Sequence, residues 1–287
     1  MKHFKKVLVS VLAFAMIAAI GMTTFFAETY YEFDHFVFLK NDDGTITVSE
    51  FDNSSTDVVI PQTILDRTVS GVDAFIFSKN TNITSVVVPD TVKSIGNSAF
   101  ANATNLVSAK ISANCETVGV CLFQGCSSLK SVDINSKISV VNNQMFYKCP
   151  SLEEVVLPNT VQKINNYAFA ECPSLKSVFI PESVGVISKT AFKKSDNVVI
   201  SGYFGSYAQE FAEANNIAFK GISKYVLGDI NKDGKINVVD ATAIQKIVVG
   251  ITTNPDAETK FLADYNGDGK INILDVTCVE RIVVGLA

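Results

Sequence analysis

The hydrophobic residues between positions 58 and 200 follow a short pattern that recurs many times. In SLEEVVLPNTVQKINNYAFAEC (residues 151–172), apolar and polar residues first alternate, as expected of a short strand with one buried face. A proline and a polar turn follow, then a Val-x-x-Ile pair, then an Ala-Phe segment with room for one helical turn. The pattern predicts short strands separated by single turns.

The pattern returns every 23 residues. Its aromatic position is occupied by Phe77, Phe100, Phe123, Phe146, Phe169 and Phe192. The aliphatic position ahead of each strand is occupied by Ile83, Leu106, Leu129, Leu152, Leu175 and Val198. One unit cannot bury both its strand face and its phenylalanine, whereas stacked units bury them against one another. We therefore predict a solenoid with a parallel β-sheet along one side.

The repeating unit resembles the leucine-rich repeats of the bacterial surface-antigen (BspA-like) type. Their consensus is L-x-x-V-x-I-P-x-x-V-x-x-I-x-x-x-A-F, and six aligned units carry the resemblance over about residues 58–200. It implies an N-terminal leucine-rich-repeat solenoid in which parallel β-strands alternate with short helical or 3-10 turns.

Segments at both ends of the array are predicted to cap it. FVFLKNDDGTITVSEF alternates around Asp42-Asp43-Gly44, which is a hairpin signal, and no further acids fall at metal-ligand spacing. GYFGSYAQEFAEANNIAF is typical of a short helix and a strand that close the other end. We place an N-terminal β-hairpin cap at residues 28–57 and the repeats with their C-terminal cap at residues 58–222.

The N-terminus is typical of a secretory signal peptide. Lys2, Lys5 and Lys6 precede an apolar run that is short for a membrane span, so we predict cleavage after residue 27, with a retained anchor as the alternative. Cleavage removes three of 24 basic residues and none of 29 acidic ones, so the net charge becomes 21 − 29 = −8. We expect an extracellular protein that binds neither nucleic acid nor, after cleavage, a membrane.

The positions of the cysteines are explained better by packing within the repeats than by a chemical role of their thiols. Cys126, Cys149 and Cys172 occupy the same position in three successive repeats. Adjacent strands lie about 5 Å apart, so one neighbouring pair is within disulfide range. We favour a column of buried thiols and leave a single disulfide open.

Candidate catalytic groups are sparse, so we predict that the chain is not an enzyme. His35 is the only histidine after signal removal, and no Ser-His-Asp or Cys-His set can be assembled without it. A paired-carboxylate glycosidase site is not excluded by composition alone, although Asp133, Glu153, Glu154 and Glu182 fall at outward or turn positions. A hydrolase with an unrecognised site and a purely structural spacer are the alternatives.

The residues between the buried strand positions are predicted to form the concave face. They are Ser85, Val87, Ser108, Lys110, Ser131, Asp133, Glu154, Val156, Ser177 and Phe179. This mixed surface with an apolar stripe suits a protein or cell-surface ligand better than a sugar. A sheet face that is merely solvated is equally compatible with the pattern.

Near the C-terminus, GDINKDGKINVVD returns 35 residues later as ADYNGDGKINILD. Positions 1, 3, 5, 7, 9 and 12 of the first loop are Asp229, Asn231, Asp233, Lys235, Asn237 and Asp240. The same positions of the second loop are Asp264, Asn266, Asp268, Lys270, Asn272 and Asp275. This is the ligand spacing of an EF-hand Ca²⁺ loop, in which glycine permits the bend at position 6 and position 7 contributes a backbone carbonyl. We predict two calcium ions.

The two loops depart from an ordinary EF-hand. Position 12 is Asp, and no amphipathic helix leads into the first loop, so the unit reads loop-helix, linker, loop-helix. Residues 225–287 therefore resemble a type I dockerin, a small all-α calcium-binding module of two EF-hand-like motifs.

The dockerin resemblance implies a cohesin module of a scaffold protein as partner, in a cellulosome-type assembly for polysaccharide degradation. It also implies that partner choice lies at loop positions 10 and 11 and along the following helix. These residues are Val238, Val239, Gln245 and Lys246, and Ile273, Leu274, Glu280 and Arg281. We expect a secreted, non-catalytic binding or adhesion protein attached to a scaffold.

Overall fold

The computed structural model describes residues 30–33 and 35–286. The predicted signal peptide lies outside the described residues. No helix within those residues has both the length and the apolar character needed to cross a bilayer.

The N-terminal cap is an antiparallel sheet formed by β1 (Tyr30–Phe33), β2 (Phe36–Lys40) and β3 (Ile46–Phe51). The predicted hairpin joins β2 to β3, and Gly44 in its turn has a positive φ of 84°. The Asp43 carboxylate accepts hydrogen bonds from the Thr45 hydroxyl (2.6 Å) and amide (2.9 Å), and these bonds lower the pKa of Asp43. Asp43 thus stabilises a turn.

The principal sheet of the solenoid has eight parallel strands. They are β4 (Asp57–Val59), β7 (Ser85–Val87), β9 (Ser108–Lys110), β11 (Ser131–Asp133), β13 (Glu154–Val156), β15 (Ser177–Phe179), β17 (Val199–Tyr203) and β18 (Ala218–Ile222). From β7 to β15, residues 23 positions apart lie opposite each other. In each three-residue strand the central side chain is buried and the flanking ones face outward.

A second set of short strands follows each polar turn. One sheet contains β6 (Arg67–Val72), β8 (Ser94–Ile95) and β10 (Thr117–Val118), joined by β5 (Thr63–Ile64) and by β3 of the cap. The other contains β12 (Val140–Val141), β14 (Lys163–Ile164) and β16 (Val186–Ile187). These strands and the principal sheet enclose the hydrophobic core.

The phenylalanines of the repeats stack in one column inside the solenoid. From Phe77 to Phe192, successive ring centroids lie 5.2–5.6 Å apart and the ring planes differ by 3–12°. Each ring sits on a single turn closed by hydrogen bonds between residues i and i+3, as between the Cys126 amide and the Phe123 carbonyl (3.1 Å). The caps extend the column, because Phe51 packs on Phe77 and Phe211 on Phe192.

The cysteine column consists of free, buried thiols. The Cys126, Cys149 and Cys172 thiols each donate to the phenylalanine carbonyl 26 residues earlier, at 3.0–3.1 Å. The Ser195 hydroxyl makes the same bond to the Phe169 carbonyl at 2.6 Å. This position of the repeat therefore supplies a hydrogen-bond donor to a buried carbonyl. Burial raises the pKa of Cys126 to about 12 and that of Cys172 to about 11.

Four helices lie in the C-terminal part of the described residues. They are α1 (Tyr207–Ala214), α2 (Val238–Val248), α3 (Ala257–Ala263) and α4 (Ile273–Val283). Helix α1 and strand β18 form the predicted C-terminal cap. Helices α2 and α4 pack together around a small separate core that includes Ile244 and Val279. Helix α3 was not predicted, and it begins where Asp256 accepts a hydrogen bond from the Thr259 amide (2.6 Å).

Candidate functional site

The two acidic loops begin with the same hydrogen bonds. In the first loop the Asp229 carboxylate accepts bonds from the backbone amides of Asp233 (3.1 Å) and Gly234 (2.9 Å). In the second loop Asp264 accepts bonds from the equivalent amides at the same two distances. The glycine at position 6 has a positive φ in both loops, 84° and 81°, which a residue with a Cβ rarely adopts.

The next loop positions also correspond. The Asn231 side-chain oxygen accepts a bond from the Asp233 amide (3.0 Å), and the Asp233 carboxylate accepts one from the Lys235 amide (2.9 Å). Asn266 and Asp268 repeat both bonds, each at 2.9 Å. The duplicated sequence therefore adopts one loop conformation twice.

Positions 9 and 12 have a structural role that the sequence analysis missed. Asn237 caps α2 by accepting a bond from the Val239 amide (2.8 Å), and Asp240 accepts one from the Asn237 amide (3.0 Å). Asn272 and Asp275 form the same capping box on α4. The sequence does contain a signal for this role, because Asn-x-x-Asp before an apolar helix is a capping pattern.

Three of the six loop carboxylates are removed from water, whereas Asp233 and Asp268 are exposed. Asp229, Asp240 and Asp275 are at most 1% exposed, and no ion pair within residues 35–286 involves any of the six loop carboxylates. Buried carboxylates without a positive partner are costly, so this arrangement favours a bound cation. The donors are all oxygen atoms, as hard cations such as Ca²⁺ prefer.

The carboxylates of one loop do not yet converge on a single point. Within the described residues, no group of three or more His, Cys, Asp or Glu side chains is arranged to hold a metal ion. In the first loop, one Asp240 oxygen accepts the Ile230 and Asn231 amides and the other accepts the Asn237 amide, so both oxygens of this carboxylate are bonded to the backbone. The complete ligand set therefore stays a prediction.

The loop residues at positions 10 and 11 lie on the surface. Val238, Val239, Ile273 and Leu274 are 64%, 55%, 59% and 57% exposed. Each pair begins one of the two packed helices, so two apolar patches occupy equivalent places in the two halves. Exposed apolar pairs of this kind are typical of a surface that is buried against a partner.

Comparison with known proteins identifies both parts of the chain. Residues 70–199 match the BspA type leucine-rich repeat region in six copies, and residues 227–283 match the dockerin type I domain. The chain therefore carries BspA-type leucine-rich repeats and a C-terminal type I dockerin. Type I dockerins typically bind calcium, and their presence implies assembly through a cohesin module. Both matched families are non-catalytic, and no catalytic domain was detected.

Solved structures with the repeat fold include the leucine-rich repeat protein TpLRR of T. pallidum. It is 22% identical with a TM-score of 0.53, and the match covers 74% of this chain and 93% of that one. A Bacteroides capillosus leucine-rich repeat protein is 24% identical over 55% of this chain and 98% of its own, with a TM-score of 0.38. The first likeness shows the fold alone. No curated protein matches the chain.

In the dockerin, the structure brings predicted partner residues of the two halves together. The Gln245 side chain donates to Glu280 (3.3 Å) across the α2–α4 pair. A shallow pocket of about 380 Å³ is lined by Val238 from the first half and by Glu280 and Arg281 from the second. Val284 lines the same pocket and is exposed, although the sequence analysis did not include it. Lys246 also lies on the surface.

On the repeats, the exposed sheet face has a groove of about 420 Å³ between β11 and β13. Asp133, Glu154 and Val156 line it, together with Pro158 from the following turn. Val156 is exposed, so the groove combines two carboxylates with an apolar floor. These residues lie where the repeat pattern placed them.

His35 does not form a catalytic relay with its neighbours. Its Nδ1 atom lies 2.6 Å from the Ser54 hydroxyl and 3.2 Å from the Asp52 carboxylate. A Ser-His-Asp relay needs the hydroxyl and the carboxylate on opposite ring nitrogens, whereas here both approach the same one. Ser54 also donates to Asp52 (2.6 Å), which lowers the pKa of that carboxyl group. The cluster resembles a turn stabilised by hydrogen bonds.

Proposed function

We propose that this chain is a secreted, non-catalytic binding protein that a calcium-dependent dockerin attaches to a cohesin-bearing scaffold. The dockerin match and the predicted signal peptide support an extracellular location. In this proposal the solenoid supplies the ligand-binding surface and the dockerin determines where that surface is placed. The context is a cellulosome-type assembly acting on polysaccharides.

The observation that carries the proposal is the pair of matching loops with unneutralised buried carboxylates. We assign two calcium ions, one to each loop. Side-chain oxygens at positions 1, 3, 5, 9 and 12 and the backbone carbonyl oxygen at position 7 supply the ligands. The first set is Asp229, Asn231, Asp233, Lys235, Asn237 and Asp240, and the second is Asp264, Asn266, Asp268, Lys270, Asn272 and Asp275.

Calcium stabilises the module because it offsets carboxylate repulsion. Each loop carries three carboxylates, and at least one of them is buried, so without a cation their mutual repulsion is only partly screened by water. Ion binding and folding are therefore linked, as in other small metal-binding domains. Chelation is expected to lower the helical content of the dockerin and to release it from its partner.

The cohesin-binding surface in this proposal includes the apolar pairs at the start of α2 and α4. Burying four large apolar side chains that are each more than half exposed contributes to affinity through loss of water contact. Gln245, Lys246, Glu280 and Arg281 lie further along the same helices and supply a polar rim.

A binding experiment tests this surface. Replacing Val238, Val239, Ile273 and Leu274 by Asp in the full chain is expected to weaken binding to a type I cohesin at least about a hundredfold. Calcium-induced helicity, followed by circular dichroism, is expected to persist. The control is Val226→Asp, an equally exposed valine outside the predicted surface. Unchanged cohesin affinity in the fourfold variant overturns the assignment of this surface.

The solenoid is proposed to bind a protein or cell-surface ligand on its exposed sheet face. What supports this is the groove between β11 and β13, with exposed apolar Val156 beside Asp133 and Glu154. Each of these strands leaves two outward side chains per repeat, so successive repeats add to one continuous sheet face.

A further inference from the structure

Helix α3 contacts the end of the solenoid as well as the dockerin core. The Phe261 ring on α3 packs against Phe204, with centroids 5.6 Å apart. Phe204 directly follows β17 and also packs against Phe219 of β18. On its other side, the buried α3 residue Leu262 accepts a backbone hydrogen bond from Gly228 (3.0 Å), just before the first calcium loop. The helix thus joins the two parts of the molecule.

A polar connection lies beside this aromatic contact. Glu258 on α3 accepts a hydrogen bond from the Ser223 hydroxyl (2.8 Å), which directly follows β18. Its second oxygen pairs with the Lys232 ammonium group at 2.6 Å. The Lys232 and Glu258 side chains are only 29% and 16% exposed, so water screens the pair less than a surface ion pair. Lys232 occupies position 4 of the first loop. The loop is therefore connected through Glu258 to Ser223, at the end of the solenoid.

Position 4 is one of the places where the sequences of the two loops differ. Lys232 has a φ of 62°, and Gly267 holds the same place in the second loop with a φ of 71°. Left-handed backbone suits glycine and is unfavourable for a residue with a Cβ. The first loop therefore adopts an unfavourable backbone conformation at the one residue that reaches Glu258.

From these contacts we propose that Lys232, Glu258 and Ser223 couple calcium binding in the first loop to the ordering of the dockerin on the solenoid, with Phe204 and Phe261 as the apolar part of the joint. The inference rests on the proposed calcium site. An ion bound by positions 3 and 5 holds the backbone at position 4, and so holds the Lys232 ammonium group on Glu258. Without the ion, repulsion among the loop carboxylates loosens this residue and the joint with it.

The coupling leaves the cohesin-binding surface free. Val238, Val239, Ile273 and Leu274 stay more than half exposed while α3 contacts the solenoid. A cohesin on the dockerin would therefore hold the sheet face of the solenoid in a set direction relative to the scaffold. Calcium would then control both attachment and orientation.

Hydrogen exchange of the Tyr225 amide in the full chain tests the coupling. This amide donates to the Ser223 hydroxyl (3.0 Å) and lies outside the loop. In calcium, Lys232→Gly and Glu258→Ala are each expected to lower its protection about tenfold, because the joint opens locally. Glycine suits the backbone at position 232, so the loop itself is expected to fold and bind calcium.

The matched control is Lys260→Ala. It removes the same charge at an exposed position on α3 and leaves Lys232 and Glu258 untouched. It is expected to leave Tyr225 protection unchanged. Equal protection in the Lys232→Gly and Lys260→Ala variants overturns the coupling. A parallel calcium titration separates failure of the coupling from failure of the proposed function. An absence of calcium binding overturns both. Normal calcium binding with unchanged protection of the Tyr225 amide in the variants overturns the coupling alone.

Discussion

Phe146→Ala tests the phenylalanine column most severely. Phe146 is fully buried, with the Phe123 ring 5.6 Å away on one face and the Phe169 ring 5.3 Å away on the other. Large-to-small changes at buried phenylalanines cost about 3–5 kcal/mol in total, lost aromatic contacts included. Because Phe146 loses two stacked pairs, we expect a loss of unfolding free energy in the upper part of this range, about 4–5 kcal/mol.

The measurement is thermal unfolding of the full chain in calcium, followed by circular dichroism in the strand region. The expected loss corresponds to a fall in the solenoid midpoint of about 10–15 °C for a unit of this size. Phe75→Ala is the control, since Phe75 belongs to the same type of turn and its side chain is exposed. We expect it to cost less than about 0.5 kcal/mol. Equal midpoints for the two variants would refute the stacked column.

Two further predictions concern the thiols and the sheet face. At pH 8 iodoacetamide is expected to label the half-buried Cys121 in the native chain at least about a hundred times faster than Cys149, because burial raises the pKa of Cys149 well above its usual range and excludes the reagent. Comparable labelling would contradict the buried column. Asp133→Lys with Val156→Asp is expected to abolish capture of a ligand from culture supernatant by the immobilised full chain, whereas Lys163→Glu on β14 should not. Equal capture by both variants would exclude the groove.

The fold of the repeats could be predicted because every unit meets the same surroundings. A 23-residue period places each phenylalanine and each strand residue beside its own copy, so the sequence alone specified the parallel register. The ends of the column could not be found this way. Phe51 precedes Phe77 by 26 positions and Phe211 follows Phe192 by 19, so neither belongs to the period.

For the candidate site, the two loops could be predicted from the sequence, whereas helix α3 and its contacts could not. The duplicated spacing predicted that the two loops have one conformation, which their matching hydrogen bonds confirm, whereas the role of these residues as metal ligands stays a prediction. Helix α3 was missed, since it has seven residues and buries only Leu262 and Ala263, too few to produce a helical period. The Lys232–Glu258 pair depends on that helix, so no pattern in the sequence could reveal it.

Isothermal titration of the calcium-free full chain with CaCl₂ tests the central claim most directly. We expect two binding sites, together with a gain of helical content. Asp229→Ala with Asp264→Ala removes the first proposed ligand of both loops and is expected to abolish the heat of binding and the gain of helical content. No calcium binding by the unaltered chain, or two undiminished sites in the double variant, would contradict the assignment of these loops.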